Sequence, residues 1–241
     1  MTAPASTDAA IVRLASVDST QSVAFALAER GAADRTVVVA DEQSAGRGRR
    51  GRAWRAPAGT SLLASILVRS RLPKSLLATL SPTAAVATAE ALRRVAAVTA
   101  RLKWPNDVLI EGKKIAGILL ESRMGPAAPV TIIGIGINIG QREFPPELAG
   151  IATSVALETG RRVDRDTMLA VLLEEFDAWR ARLEGEGFGL VRERWRALSD
   201  TLGRQVTVDT VTGVAQDLDH DGALLIDVGG TVQRVIAGEI A

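Results

Sequence analysis

Val130-Thr-Ile-Ile-Gly-Ile-Gly-Ile-Asn-Ile139 is the stretch that decides the fold. Isoleucine and glycine alternate with a period of two, so the segment reads as a β-strand with one apolar face and one face stripped of side chains. The glycines lack the dinucleotide-fingerprint spacing and no helix signal follows them, which excludes a Rossmann unit. The bare face suits a flat ligand; a second backbone crossing closely accounts for it equally well.

Upstream, Ile115 to Glu121 is a second apolar run, joined through Glu111-Gly112-Lys113 to Val108 to Ile110, with Gly112 free to take the positive φ of a hairpin turn. Strict alternation puts Lys114, Ala116 and Ile118 on one face of this strand and Ile115, Gly117 and Leu119 on the other. In Lys103-Trp-Pro-Asn-Asp107, Pro105 breaks the strand and presents Lys103, Asn106 and Asp107 at its end, where α/β proteins place ligands. A plain turn with solvent-facing side chains reads the same way. Lys114 is suited to neutralise a carboxylate or a phosphate at a pocket mouth, or is one more surface lysine.

Nearer the N-terminus, Ile11 to Leu14, Thr36 to Ala40 and Ser61 to Arg69 read as strands, and Gln21 to Arg30 as a helix that ends at Gly31. Asp18-Ser19-Thr20 offers cap chemistry for that helix, or, with Gln43, hydroxyls and an amide for a neutral polar ligand. Gly46-Arg-Gly-Arg-Arg-Gly-Arg-Ala-Trp54 lies between two strands. Its glycines admit close approach of an anion, its arginines are forked donors and Trp54 offers a flat face. A flexible basic loop contacting RNA fits this composition too. Its arginines repel one another, so the loop from Ser44 to Arg52 is expected to be mobile when empty and ordered over a bound anion.

Pro82 to Val98, Thr167 to Leu183 and Gly189 to Leu198 have helical periodicity; in the second, Met168, Val171, Leu172, Phe176, Trp179 and Leu183 form the apolar stripe and Arg180 falls outside it. From Leu202 the texture changes to short strands separated by turns at Gly213, Gly222 and Gly229-Gly230. This gives an expected division into residues 1–10, disordered; 11–201, the larger unit; and 202–241, a small all-β unit. The last carries a net charge of −4 against +5 for the rest, and five positive charges lie between Arg47 and Arg55.

The chain of 241 residues has no Cys and one His, so disulfides, thiol nucleophiles and multi-His metal sites are excluded. His220, in a turn of the acidic unit, reads as structural, and no protein-built metal site is expected. With a net charge of +1 there is no global basic field for nucleic acid. No apolar run approaches the ~20 residues of a membrane span and no secretory signal is apparent, so a soluble cytoplasmic protein is the expectation.

These segments, in this order, resemble the biotin protein ligases, over about residues 11 to 241. The resemblance implies an α+β fold: a mixed β-sheet with helices packed on one side, the class II synthetase-like biotin ligase fold, followed by a small SH3-like barrel. It implies that biotin and MgATP form biotinyl-5′-AMP and that biotin then passes to a lysine of a biotin carboxyl carrier domain of an acyl-CoA or pyruvate carboxylase. By similarity, Ser19, Thr20 and Gln43 would bind the ureido ring, with Arg47, Lys114 and Gly117 completing the biotin site. Gly46, Arg49, Arg50, Arg52, Trp54, Asn106, Gly136 and Asn138 would hold ATP and the adenylate. Lys114, Arg47 and Asp107 would act in catalysis, Asp107 by helping the acceptor lysine lose a proton. No DNA-binding domain is expected ahead of residue 11, and the state is monomer or homodimer. Residues 141 to 155, where an adenylate-covering loop belongs, contain no Trp; Phe144 is the nearby aromatic. A lipoate or octanoate ligase and a nucleic-acid-binding module are the alternatives.

Overall fold

The structure is a computed structural model and describes residues 10–124 and 129–240, so the expectation for 1–10 falls almost wholly outside it. Seven strands form the main sheet: β1 (Ile11–Val17), β2 (Val37–Gln43), β3 (Ser61–Val68), β4 (Arg101–Lys103), β5 (Asp107–Ile110), β6 (Lys113–Met124) and β7 (Pro129–Asn138). Their order is β1-β2-β3-β7-β6-β5-β4. Only β1 and β2 pair in parallel, across α1 (Thr20–Glu29); the other neighbours are antiparallel, so the sheet is mixed.

The alternation in β7 does what its sequence requires. Ile133, Ile135 and Ile137 enter the main core beneath α2 (Leu80–Ala96), α4 (Arg165–Glu186) and α5 (Gly189–Leu198), while Gly134 and Gly136 open on the opposite face. Three long helices thus share one side, as expected. Helix α1 is the exception: Ala24, Phe25 and Ala28 cover Val38, Leu67 and Ile132 on the other face, leaving the rest of that face uncovered by helix. The sequence reading also passed over α3 (Val155–Thr159), a single short turn capped by Ser154.

Two side chains depart from the pattern. Arg180 is buried in α4, between Asp34 and Glu184, because two carboxylates replace the water it gives up. Glu90 is buried in α2 and accepts hydrogen bonds from Arg93 Nε at 2.9 Å and from Arg194 Nε of α5 at 2.6 Å. Burial alone would raise the Glu90 pKa, but the two guanidinium groups bring it below its ordinary value.

The acidic segment forms a second, antiparallel sheet of β8 (Gln205–Val208), β9 (Val211–Leu218), β10 (Leu224–Val228) and β11 (Thr231–Val235). Just beyond β11, Ile240 bridges Val208 of β8, so the two ends of this sheet meet as an SH3-like barrel requires. Two contacts brace the residue that follows β4: Thr201 Oγ1, just ahead of the barrel, accepts from Trp104 N at 2.9 Å, and the Gly222 carbonyl of the barrel accepts from Trp104 Nε1 at 3.3 Å.

Replacing Glu90 with Gln is expected to lower the unfolding free energy by about 1–2 kcal/mol at neutral pH, the partly exposed arginines moderating the loss. Because the folded-state pKa of Glu90 is lowered, its contribution is present above the ordinary Glu value near 4.5 and lost as pH falls through the lowered one. Urea unfolding of both proteins across that range should show the gap narrowing on acidification.

Candidate active site

The uncovered face of the main sheet is floored by two adjacent rows of residues across its central strands. Ser65, Gly134 and Leu119 lie side by side in β3, β7 and β6, and next to them Leu63, Gly136 and Gly117. Where the glycines remove side chains, others fill the space. A Cβ on Gly134 would lie 3.0 Å from the Gln21 carboxamide carbon. One on Gly136 would lie 2.6 Å from Trp54 Cε2, and one on Gly117 3.0 Å from Trp54 Cζ3. The bare strip is therefore the seat of the Trp54 indole, and that indole stands between two cavities.

On one side is a small pocket of about 30 Å³ that includes Ser19, Thr20, Gln21, Gln43, Arg47 and Trp54 in its lining. Gln43 Oε1 accepts from Thr20 N at 2.8 Å and Thr20 Oγ1 at 3.0 Å, and Thr20 Oγ1 lies 2.8 Å from Ser65 Oγ. The Gln43 oxygen is thus committed to Thr20, which leaves its NH2 as the group able to donate elsewhere. Ser19 is buried and makes no side-chain cap bond to α1, so capping does not account for its hydroxyl.

On the other side is a cavity of about 790 Å³, lined among others by Arg49, Trp54, Asn106, Asp107, Lys114 and Asn138. The strict alternation read into β6 fails at its start. Asp107 pairs with Gly117 and Val108 with Ala116, but Leu109 pairs with Lys114, so Ile115 is an extra residue. This bulge buries Ile115 and Ala116 side by side and turns Lys114 onto the face of Gly117. There Lys114 Nζ meets Asp107 Oδ1 at 2.5 Å and lies 5.7 Å from the Trp54 ring centroid. The Lys114 backbone is fixed as well, its N–H bonding to Ile151 O at 2.8 Å and its carbonyl to Thr153 N at 2.9 Å.

That exchange ties Lys114 to the segment between β7 and α3. Phe144, Leu148 and Ile151 of this segment form the apolar wall of the large cavity, and Ile151 is 61% exposed. Asn138 lines the cavity, but its amide is engaged internally: Nδ2 donates to Thr153 O at 3.0 Å and Oδ1 accepts from Gln141 Nε2 at 3.1 Å. Asn106 is likewise stitched to β6, its Nδ2 donating to Ile118 O at 2.7 Å.

The arginine loop spans the front of both cavities. Gly46 sits where a Cβ would strike the Trp54 carbonyl and the Gln43 amide. The loop arginines do not simply repel one another: Arg47 pairs with Glu121 at 3.0 Å, Arg50 with Asp209 at 2.8 Å, and Arg52 with Glu239. The expected cause of mobility in the empty loop is thereby removed for three of them, and so is the bare basic patch that nucleic acid would need. Arg49 differs. Among the described residues it has no carboxylate partner, and its NH1 donates to Asn106 Oδ1 at 3.4 Å. Burial lowers its pKa and neighbouring Arg50 lowers it further, Asp107 offsetting part of this, so a bound anion would favour its charged form.

Sequence reasoning missed Gln21, Glu121, Asp209 and Glu239. Glu121 was within its reach, since it shares the parity of Gly117 and Leu119 along β6. His220 is exposed on the barrel; the carboxylates on either side of it both pair with Arg234, which makes this cluster a surface ion-pair group.

The chain matches the biotin/lipoate A/B protein ligase family over residues 14–138 and the biotin protein ligase C-terminal domain over residues 201–241. It is 38% identical over 237 residues to the biotin–[acetyl-CoA-carboxylase] ligase of Paracoccus denitrificans, covering 94% of this chain and 98% of that protein. Identity to the Mycobacterium tuberculosis protein of the same name is 37% over 238 residues, covering 94% and 86%. Among solved structures it is similar to the biotin protein ligase of Aquifex aeolicus in complex with biotin and ATP, with a TM-score of 0.83, 31% identity, and 96% and 97% of the two chains covered.

Gly136→Ala is expected to destabilise the protein by about 1–3 kcal/mol through collision with Trp54. Combining it with Trp54→Ala should recover most of that loss, and a urea double-mutant cycle measures the coupling.

Proposed function

The chain belongs to the biotin protein ligases of the biotin/lipoate A/B protein ligase family, and from that premise we propose how its residues share the work of an ATP-dependent biotin ligase. The enzyme forms biotinyl-5′-AMP from biotin and ATP and transfers biotin to a lysine of a carboxyl carrier partner. The observation that carries the assignment of roles is the placement of Lys114, with Asp107, at the indole that separates a small polar pocket from a nucleotide-sized cavity.

In this reading the ureido ring lies against Ser19, Thr20 and the free NH2 of Gln43. Arg47 and Gly117 complete the biotin site, and Gly46 lets the loop come close enough to cover it. The adenosine occupies the larger cavity between Trp54 and the wall of Phe144, Leu148 and Ile151, an apolar cover where the loop has no Trp. Asn138 supports that wall by holding Thr153, Gly136 gives room for the indole, and Asn106 holds the Arg49 side chain. Arg49, Arg50 and Arg52 face the phosphates.

In the first step a biotin carboxylate oxygen attacks the α-phosphorus, and the bond to the β-phosphate oxygen breaks to release pyrophosphate. Negative charge gathers on the phosphoryl oxygens, where Lys114 and the loop arginines stabilise it. In the second step the neutral amine of the acceptor lysine attacks the carbonyl carbon of the mixed anhydride. The carbon–oxygen bond to phosphate breaks, AMP leaves, and the amine proton passes toward Asp107, the carboxylate nearest the reacting atoms. Among the described residues of this cavity the carboxylate not paired with a loop arginine is Asp107, beside the Asn106 amide oxygen, since Asp209 and Glu239 are held by Arg50 and Arg52; so few ready oxygen donors suit a Mg²⁺ that would be held mainly by phosphate. When bound, Mg²⁺ neutralises part of the phosphate charge.

Residues 11–201 act as the catalytic unit and 202–241 as the barrel unit. The carrier belongs to an acyl-CoA or pyruvate carboxylase, and the enzyme works in the cytoplasm as a monomer or homodimer. Among the described residues no helix is long and apolar enough to cross a membrane.

Biotin-dependent exchange of pyrophosphate into ATP tests the reading, and exchange with lipoate in place of biotin would overturn it. Lys114→Ala should fold normally yet lose about 10²-fold or more of the exchange rate. Full activity in that variant would remove Lys114 from its role.

A further inference from the structure

The partners of the loop arginines come from two different sheets. Arg47 is held by Glu121 within the main sheet, whereas Arg50 and Arg52 are held by the barrel, through Asp209 and Glu239. A cavity of about 810 Å³ opens between the loop and the barrel, bordered by Gly46 to Ala53 on one side and by Asp209, Ala237 and Gly238 on the other. With that space between them, the ion pairs form a bridge from the barrel to the loop.

The Arg50–Asp209 pair has an unusual backbone at both ends. Asp209 stands at the tip of the β8–β9 hairpin with φ +52°, and Arg50 lies in the tight turn Arg49–Gly51 with φ +53°. Asp tolerates the left-handed region, but Arg does so rarely, and such a conformation persists where its surroundings impose it. The hydrogen bond from Arg50 NH2 to Asp209 Oδ1, at 2.8 Å, is the tertiary contact that pins this residue. One residue earlier, Arg49 leaves the same turn toward Asn106 and the nucleotide cavity.

We infer that Asp209 is a positioning residue for the ligase reaction: by holding Arg50 it sets the Arg49–Gly51 turn and keeps Arg49 directed into the nucleotide cavity. The inference rests on the reading of Arg49 as a phosphate contact. Asp209 also borders the nucleotide cavity, with Arg50 and Arg52, so the barrel takes part in nucleotide binding as a wall of that space and, through Asp209, as the anchor of the loop. Both members of the pair are about half exposed, with side-chain accessibilities of 51% and 55%. A pair this exposed adds little to global stability and is screened by salt, so loop placement can be separated from folding.

Asp209→Asn in the full chain is the test, because Asn keeps the left-handed tolerance and removes the charge. The KM for ATP in biotin-dependent exchange should rise about fivefold, the equivalent of one exposed ion pair, while the KM for biotin changes by less than about twofold. The thermal midpoint should stay in place. Trypsin should cut the empty variant faster than the wild type after Arg49 and Arg50 at about 50 mM salt, and the difference should close at about 0.5 M as screening weakens the wild-type pair. Asp209→Glu, which keeps the charge, should recover most of the affinity for ATP. An unchanged KM for ATP with unchanged cleavage would overturn the inference, and so would a parallel shift of both KM values and the thermal midpoint, which marks a merely structural role. If the wild type fails to exchange with biotin, the ligase reading fails instead, and the cleavage comparison still decides whether Asp209 holds the loop.

Discussion

One extra residue in β6 decides what the open face of this sheet can do. Without the bulge at Ile115, Lys114 would follow the alternation of Ala116 and Ile118 into the apolar core, where an ammonium group has no partner. With it, the lysine emerges beside Gly117, meets Asp107 across the β5–β6 pair, and leans over Trp54. The β6–β7 ladder ends at Ala116 and Ile137, close to the end of β7 at Asn138, and the edge at Lys114 bonds the segment around Ala152 instead. Cation, acid and aromatic partition are thus brought together by a single local count of residues.

The charge of the molecule is organised around that face. A basic loop and an acidic barrel meet, and the chain's near-neutral total conceals the arrangement. Asp217 adds to it by pairing with Arg192 and Arg196 of α5, which attaches the barrel to the helical side. Arg49 stands apart from these pairs, with no carboxylate partner among the described residues, next to the cavity walled by Phe144, Leu148 and Ile151. An anion arriving there meets a guanidinium that Asp107 offsets only from a distance and that no carboxylate of the described structure pairs directly.

Much of this was legible in the sequence because it is local. The period of two in Val130 to Ile139, the glycine turn at Gly112 and the amphipathic stripe of α4 each depend on neighbours within a few residues. The site motifs were legible as candidates, and their resemblance to a family supplied their relation to one another. What escaped has a common cause. The Ile115 bulge shows itself only once β5 supplies a register, and the burial of Arg180 only once Asp34 arrives from a distant turn. Gln21, Asp209 and Glu239 reach the site across long separations, and no periodicity announces an ion pair of that kind.

The strand order carries a consequence for how the molecule assembles. β4 to β7 form a meander of sequential antiparallel neighbours, whereas β3 joins β7 only after α2 and the whole meander have been placed between them. Loop-closure entropy makes the sequential hairpins early events and the β3–β7 seam a late one. Leu63 beside Gly136, and Ser65 beside Gly134, lie on that seam. The glycine-lined floor between the two cavities is therefore among the last surfaces to form as the chain folds.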